Sequence, residues 1–364
     1  MITSLGAVLI GSGAASVLLG VVLFAAGRRR TRTTPVEESR PHAPTDRDLL
    51  PVDTPKTVLV AGASSPSAVA VIRCLVRAGF EVVATDSDAL APGLRLAQLG
   101  AVVPPQSAAD YPVTLAKLAK RARATLVMAA DSCGITALGR DTEVVREAGV
   151  DTWLPPPETV RLCSDRWLLH EHMAAAGLPV APARLASVGG VPGPWFVGPR
   201  MTTDPTAGFA CDSLDAVVLH ASRMLGFVVA NRPCGDRFGA EILSGRDKRL
   251  IACVSYWRLR SSGQEILAAE TFYDHNLELL LQSVASSVNL EGPATVSGVM
   301  TAHGAVLTDL ELGFGSAVAL CASAGADVVA AYVEETRGEC KRGRLLAYRS
   351  GIRMVRHLDE VFDS

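Results

Sequence analysis

Apolar positions set the first elements of the chain by their spacing. Thr57 to Ala61 places the apolar run Val58–Ala61 after a β-branched threonine, which predicts a buried strand. Gly62 to Pro66 reads as a turn, the next residues through Arg77 take helical spacing, and Glu81 to Asp86 is a second strand. Strand, helix and strand in that order begin an open parallel α/β sheet. The alternation continues through "AVVPP" (101–105), a helix over Pro112 to Arg123, the strand "ATLVMAA" (124–130), a helix near Ile135 to Ala148, and "TWLPPP" (152–157). This predicts a doubly wound domain over 56–150. A helical stretch follows in "ETVRLCSDRWLLHEHMAAAGLPVAPA" (158–183), where Gly177 and two prolines form a stop signal.

Two segments before residue 56 lack this pattern. Ser4 to Gly27 carries no charged side chain over 24 residues, enough to cross a hydrocarbon core of ~30 Å. We expect a transmembrane helix over 4–27. A cleaved signal peptide needs a positive region ahead of the apolar stretch, whereas Arg28, Arg29, Arg30 and Arg32 follow it. The positive-inside rule then predicts a single-pass plasma-membrane protein with its N-terminus outside and its main domain cytoplasmic. Residues 28–55 combine five prolines with many charges, the composition of a flexible tether.

Composition narrows the function classes. Hydrophobic residues make up 49% of the 364 and the formal net charge is -2, so no global basic bias points to nucleic acid. The eight cysteines are scattered without a C-x-x-C pair and read as reduced thiols. "LTDLELGFGSA" (307–317) places Asp309 and Glu311 two apart in an apolar run, hence on one face of a strand. Such a pair suits a hard divalent cation or a solvated strand end. The first turn, Gly-Ala-Ser-Ser-Pro-Ser, lacks the glycines of a dinucleotide loop, although Asp86 stands where a ribose would bind; an NAD-dependent reductase is therefore one alternative.

"TVLVAGASSPSAVAVIRCLVRAGFEVVATDSDALAPGL", "LPPPETVRLCSDRWLLHEHMAAAGLPVAPA" and "GIRMVRHLDEVF" follow one another in an order that resembles the large chain of carbamoyl phosphate synthase and the wider ATP-grasp superfamily, over about residues 56–362. The resemblance implies an α/β pre-ATP-grasp domain at 56–150 followed by a two-lobed α+β ATP-grasp-like domain at 151–364. It also implies ATP held between the lobes, Mg2+, and transfer of phosphate to a carboxylate that an amine or thiol then attacks.

Carried over position by position, the resemblance puts Arg166 at the nucleotide and Gly198 at a phosphate-facing lysine, with Arg200 two residues on as a substitute. It puts Asp204 and Gly208 in a phosphate loop and the backbone of Val229 and Ala230 at adenine. Asn231 replaces a glutamate at the adenine edge, and Arg237 a ribose-binding carboxylate. Asp236 and Glu241 keep acidity nearby. Arg258 and Arg260, on one face of a strand, are candidate catalytic residues for an anionic or carboxylate substrate. Asp309, Glu311 and Ser297 fall at metal-ligand positions, while Gly313 replaces an arginine. The implied function is an ATP- and Mg-dependent ligase of the carboxylate–amine or carboxylate–thiol type with an altered site. The altered positions leave open a non-catalytic form that senses a nucleotide or docks a partner at the membrane.

Overall fold

The computed structural model describes residues 56–361 except 188, 202–206, 263–264, 339–344 and 358–359. The expected transmembrane helix and tether lie outside the described residues. Among the described residues no helix is long and apolar enough to cross a membrane.

The first layer is an open parallel sheet. Its elements run β1 (Thr57–Ala61), α1 (Pro66–Arg77), β2 (Glu81–Asp86), α2 (Gly93–Leu96), β3 (Leu99–Val102), α3 (Tyr111–Arg121), β4 (Ala124–Ala129), α4 (Ser132–Leu138), α5 (Thr142–Glu147) and β5 (Asp151–Thr152). The strand order is β3-β2-β1-β4-β5, which is doubly wound, with the reversal between β1 and β4. The helix expected over 135–148 is two helices, because Asp131 caps α4 at the Gly134 N–H and Asp141 caps α5 at the Val144 N–H.

Next come α6 (Pro157–Ser164) and α7 (Arg166–Ala175). The sequence pattern reads as one helical stretch here, yet Asp165 ends α6 in an extended conformation and caps α7 through the N–H groups of Trp167 and Leu168. The smaller antiparallel sheet comprises β6 (Ala183–Leu185), β7 (Trp195–Pro199), β8 (Phe209–Cys211), α8 (Leu214–Ala221) and β9 (Phe227–Asn231), in strand order β6-β9-β7-β8.

The larger sheet holds β10 (Asp236–Ser244), β11 (Leu250–Ser262), β12 (Glu265–Thr271), α9 (His275–Ser287), β13 (Gly292–Thr301), β14 (Gly304–Leu312), α10 (Val318–Ala324), α11 (Val328–Thr336) and β15 (Arg353–Val355), in strand order β14-β13-β10-β11-β12-β15. Its two faces differ in chemistry because strand side chains alternate. Phe238, Ala240, Ile242, Val296 and Leu310 point to one side and share a core with Leu277, Leu281 and Val284 of α9. The opposite face is apolar only at one end, where Leu243, Ala252 and Val254 meet Val318 and Cys321 of α10 and Val328 of α11. Its other end carries the charges.

Candidate functional site

The charged end of that face is assembled by strand register. Glu241 pairs with Thr295, which pairs with Glu311; Gly239 pairs with Ser297, which pairs with Asp309; Arg237 pairs with Val299. Gly239 also pairs with Tyr256, so Tyr256 and Arg258 share the face. The alternation that set Asp309 beside Glu311 in the sequence therefore holds. The fold adds Arg237, Glu241, Arg258, Ser297 and Thr295 from three neighbouring strands, and the Arg258 Nη1 donates to Ser297 Oγ at 3.4 Å.

Arg258 and Arg260 do not share a face, contrary to the expectation from their spacing. The ladder between β11 and β12 shifts between them, so that Arg258 lies opposite Ala269 and Arg260 opposite Ala268. Adjacent residues of β12 point to opposite sides, and the bulge therefore turns Arg260 out to solvent while Arg258 stays in the cleft.

The cleft opens into a cavity of about 310 Å³ between the large sheet and the parallel sheet. One wall is Tyr256, Arg258, Thr295, Ser297 and Glu311; the other is Ser65–Ser67 and Asp131–Cys133, the starts of α1 and α4 beyond the carboxyl ends of β1 and β4. Ligands in open α/β sheets bind at such a reversal of strand order. The sequence offers the first of these segments only as a weak dinucleotide loop and gives no sign of the second, because their place in the cavity depends on the distant sheet that roofs them.

The acids here are unusual. Burial, and then the neighbouring Asp309, push Glu311 up to about 8. Burial also raises Asp309, against the lowering influence of Arg166 and Arg258. Glu241 is 1% exposed and burial pushes it up to about 7, although Gly315, Thr295 and Tyr256 all hydrogen-bond to it. Among the described residues no group of three or more His, Cys, Asp or Glu side chains is arranged to hold a metal. Asp309, Glu311 and Ser297 nevertheless share one face of β13 and β14 and offer only oxygen atoms as donors. Mg2+ keeps several water or phosphate ligands of its own, so two carboxylates are a fitting share from the protein.

The smaller sheet uses its candidate residues internally. Arg166 Nη1 donates to Pro199 O at 3.2 Å and Ala207 O at 2.8 Å, and its guanidinium lies over the Phe196 ring. A Cβ on Gly198 would come within 2.6 Å of that Nη1, so Arg166 occupies the space beside Gly198 that Arg200 was expected to fill. Arg200 turns to Asp165, with Nε at 2.9 Å and 3.1 Å from the two carboxylate oxygens. Burial opposes ionisation of Asp165, yet the Arg200 bonds and the Leu168 and Trp167 N–H groups outweigh it and hold the carboxyl below its usual range.

The backbone of Val229 and Ala230 is not open to adenine as expected. Arg184 and Val197 flank Val229, and Ala183 and Phe196 flank Ala230, so β9 is paired on both edges. Asn231 Nδ2 donates to Pro192 O at 2.8 Å. The segment between β9 and β10, from Arg232 to Gly235, is the connection between the two sheets. Asp204 lies outside the described residues. Asp86, the residue a dinucleotide ribose would need, accepts from Ser64 N at 2.8 Å and Ser64 Oγ at 2.7 Å and is occupied by its own loop.

No family model and no curated protein matches the sequence. Solved structures do. An N5-carboxyaminoimidazole ribonucleotide synthetase from Thermus thermophilus superposes with a TM-score of 0.62 at 11% identity, covering 82% of each chain. A biotin carboxylase β,γ-ATP complex from Campylobacter jejuni gives 0.62 at 12% identity, covering 79% of this chain and 72% of that one. An L-amino acid ligase from Bacillus licheniformis gives 0.60 at 12% identity over 79% and 76%. All three are ATP-grasp enzymes, and at these identities the likeness is one of fold.

Proposed function

We propose that this chain, which has the ATP-grasp fold, is an ATP- and Mg2+-dependent ligase of the carboxylate–amine or carboxylate–thiol type, anchored to a membrane by residues 4–27. The observation that carries the reading is the Asp309–Glu311 pair: two carboxylates of raised proton affinity on one face of β14, of which Glu311 lines the cavity together with Arg258 and Ser297, and Asp309 lies beside it opposite Ser297. Asp309 and Glu311 would hold a divalent cation, which would relieve their repulsion and supply positive charge to the phosphate. Arg258, on the same face, is placed to hold an anionic carboxylate or phosphate oxygen. The cavity between this face and the turns after β1 and β4 takes the acceptor. Adenine is then held at the 232–235 connection rather than along β9.

A second reading, a non-catalytic nucleotide sensor or docking module, is favoured by one observation. With Gly198 in place of a lysine, and with Arg166 and Arg200 engaged by Pro199, Ala207 and Asp165, few cations are left to face phosphates in the smaller lobe.

Calorimetry of the full chain in detergent with ATP, with and without Mg2+ and with NADH as control, separates the readings when paired with an assay of ADP release over a panel of carboxylates and amines. Mg-dependent ATP binding with carboxylate-dependent ADP release supports the ligase. Binding without turnover supports the sensor, and NADH binding alone would overturn both. A tag at residue 2 that is accessible from outside intact cells, with one at Ser364 that is not, tests the anchor.

A further inference from the structure

Glu241 is a buried carboxylate for which the ligase reading has no use. It sits in the middle of the large sheet, and among the described residues it has no ion-pair partner. Every donor it faces is neutral: Tyr256 Oη reaches Oε1 at 3.3 Å, while Thr295 Oγ1 and the Gly315 N–H reach Oε2 at 3.1 Å and 2.9 Å. Burying an acid without a cation is costly, and an amide or apolar residue would be cheaper if packing were the only demand.

The Gly315 contact explains what the carboxylate holds. A Cβ at position 315 would lie 2.1 Å from Glu241 Oε1, so only glycine lets the backbone come this close. Residues 313–316 line the cavity, and they also cross to the first domain: the Phe314 N–H donates to Ala130 O at 2.9 Å, at the end of β4. Two successive N–H groups of one turn are thus held by opposite walls of the cavity, Phe314 by the parallel sheet and Gly315 by Glu241.

We propose that Glu241 is a positioning residue whose carboxylate clamps the 313–316 turn across the domain junction and so sets how tightly the cavity is closed. Ionised, it gives Gly315 a charge-assisted bond; protonated, it offers a weaker neutral one. Its surroundings keep the proton exchangeable near neutrality. The titratable or charged groups facing it are Tyr256 and, beyond it, Arg258 on β11, Glu311 on β14 and Cys321 on α10, with the neutral Thr295 on β13. The clamp does not depend on which ligand the cavity takes.

Hydrogen exchange of the full chain in detergent, without nucleotide or metal, tests this at pH 6 and pH 8. After correction for intrinsic rates, protection of the amides at 313–317 should fall by about tenfold at pH 6, the loss of one charge-assisted bond. Alkylation of Cys133, which lines the cavity, should rise relative to the exposed Cys234. In Glu241→Gln both readouts should lose their pH dependence and stay at the loosened level, while the melting temperature holds or rises because a buried charge is gone. A purely structural glutamate would lower global stability without this local profile. Protection at 313–317 that is unchanged between pH 6 and 8 in the wild type overturns the proposal, and so does an unaltered pH response in Glu241→Gln. Should that variant fail to fold, the wild-type profile alone decides.

Discussion

The two antiparallel sheets received comparable sets of polar residues and treat them in opposite ways. Around the smaller sheet Arg200 is claimed by Asp165, Arg166 at the start of α7 by two carbonyls although its charge also reaches Asp309, Asn231 by Pro192 O, and the β9 backbone by strands on both edges. In the larger sheet Asp309 and Glu311 stand together with raised proton affinity, and Arg258 meets Ser297 beside them through a long 3.4 Å contact. A group whose needs the fold already meets has little left for a ligand. One kept at a cost in desolvation or repulsion gains when a ligand arrives. The contrast is what supports the proposal that the larger sheet supplies the binding chemistry.

The sharpest way to break that contrast is to remove the acid pair. Asp309→Asn with Glu311→Gln should abolish Mg2+-dependent stabilisation, which acts by mass action on the native state, and should raise the metal-free melting temperature because the repulsion goes with the charges. If millimolar Mg2+ shifts the double variant as much as the wild type in a melting scan, the cation binds elsewhere.

Restoring a lysine to the smaller sheet comes next in size. Gly198→Lys alone meets Arg166, whereas Gly198→Lys with Arg166→Ala frees the space and returns one phosphate-facing ammonium. ATP affinity by calorimetry should rise about tenfold, the worth of one charge-assisted bond. No gain would mean that this sheet does not approach the phosphates.

The pH response should differ in sign between the sheets. Glu241 and Glu311, at about 7 and about 8, bind protons more tightly folded than unfolded, as Asp309 also does. Their contribution is fully present at acid pH and is lost as the pH rises from the ordinary carboxylate range through those values. The metal-free melting temperature should therefore drop by a few °C between about pH 5 and pH 8, with Mg2+ recovering the Asp309–Glu311 share. Asp165 works the other way: its lowered pKa adds stability above the usual carboxylate range that is lost as the pH falls further. A scan that is flat from pH 5 to 8 in the absence of metal would remove the contrast.

The smallest effect belongs to the joint between α6 and α7. Asp165→Ala removes the α7 cap, worth about 0.5–2 kcal/mol, together with the partly exposed Arg200 pair, while leaving the Mg2+ response intact. A lost Mg2+ response would show that the two sheets are coupled through α7.

Local pattern was enough for the parallel layer, whose continuous apolar strands and helical spacings fall close to β1, α1, β2 and β4, and for the shared face of Asp309 and Glu311, since alternation along an unbroken strand is a property of the backbone. The ATP-grasp resemblance was likewise legible, because the order of segments is written along the chain. Which polar groups would be consumed was not. The bulge that separates Arg258 from Arg260 arises in the pairing of β11 with β12. The claim of Arg166 on the space beside Gly198 spans more than thirty positions. The clamp of Glu241 on Gly315 joins residues 74 apart. Each depends on which strands become neighbours and how closely their backbones approach, and those distances exist only once the chain has folded.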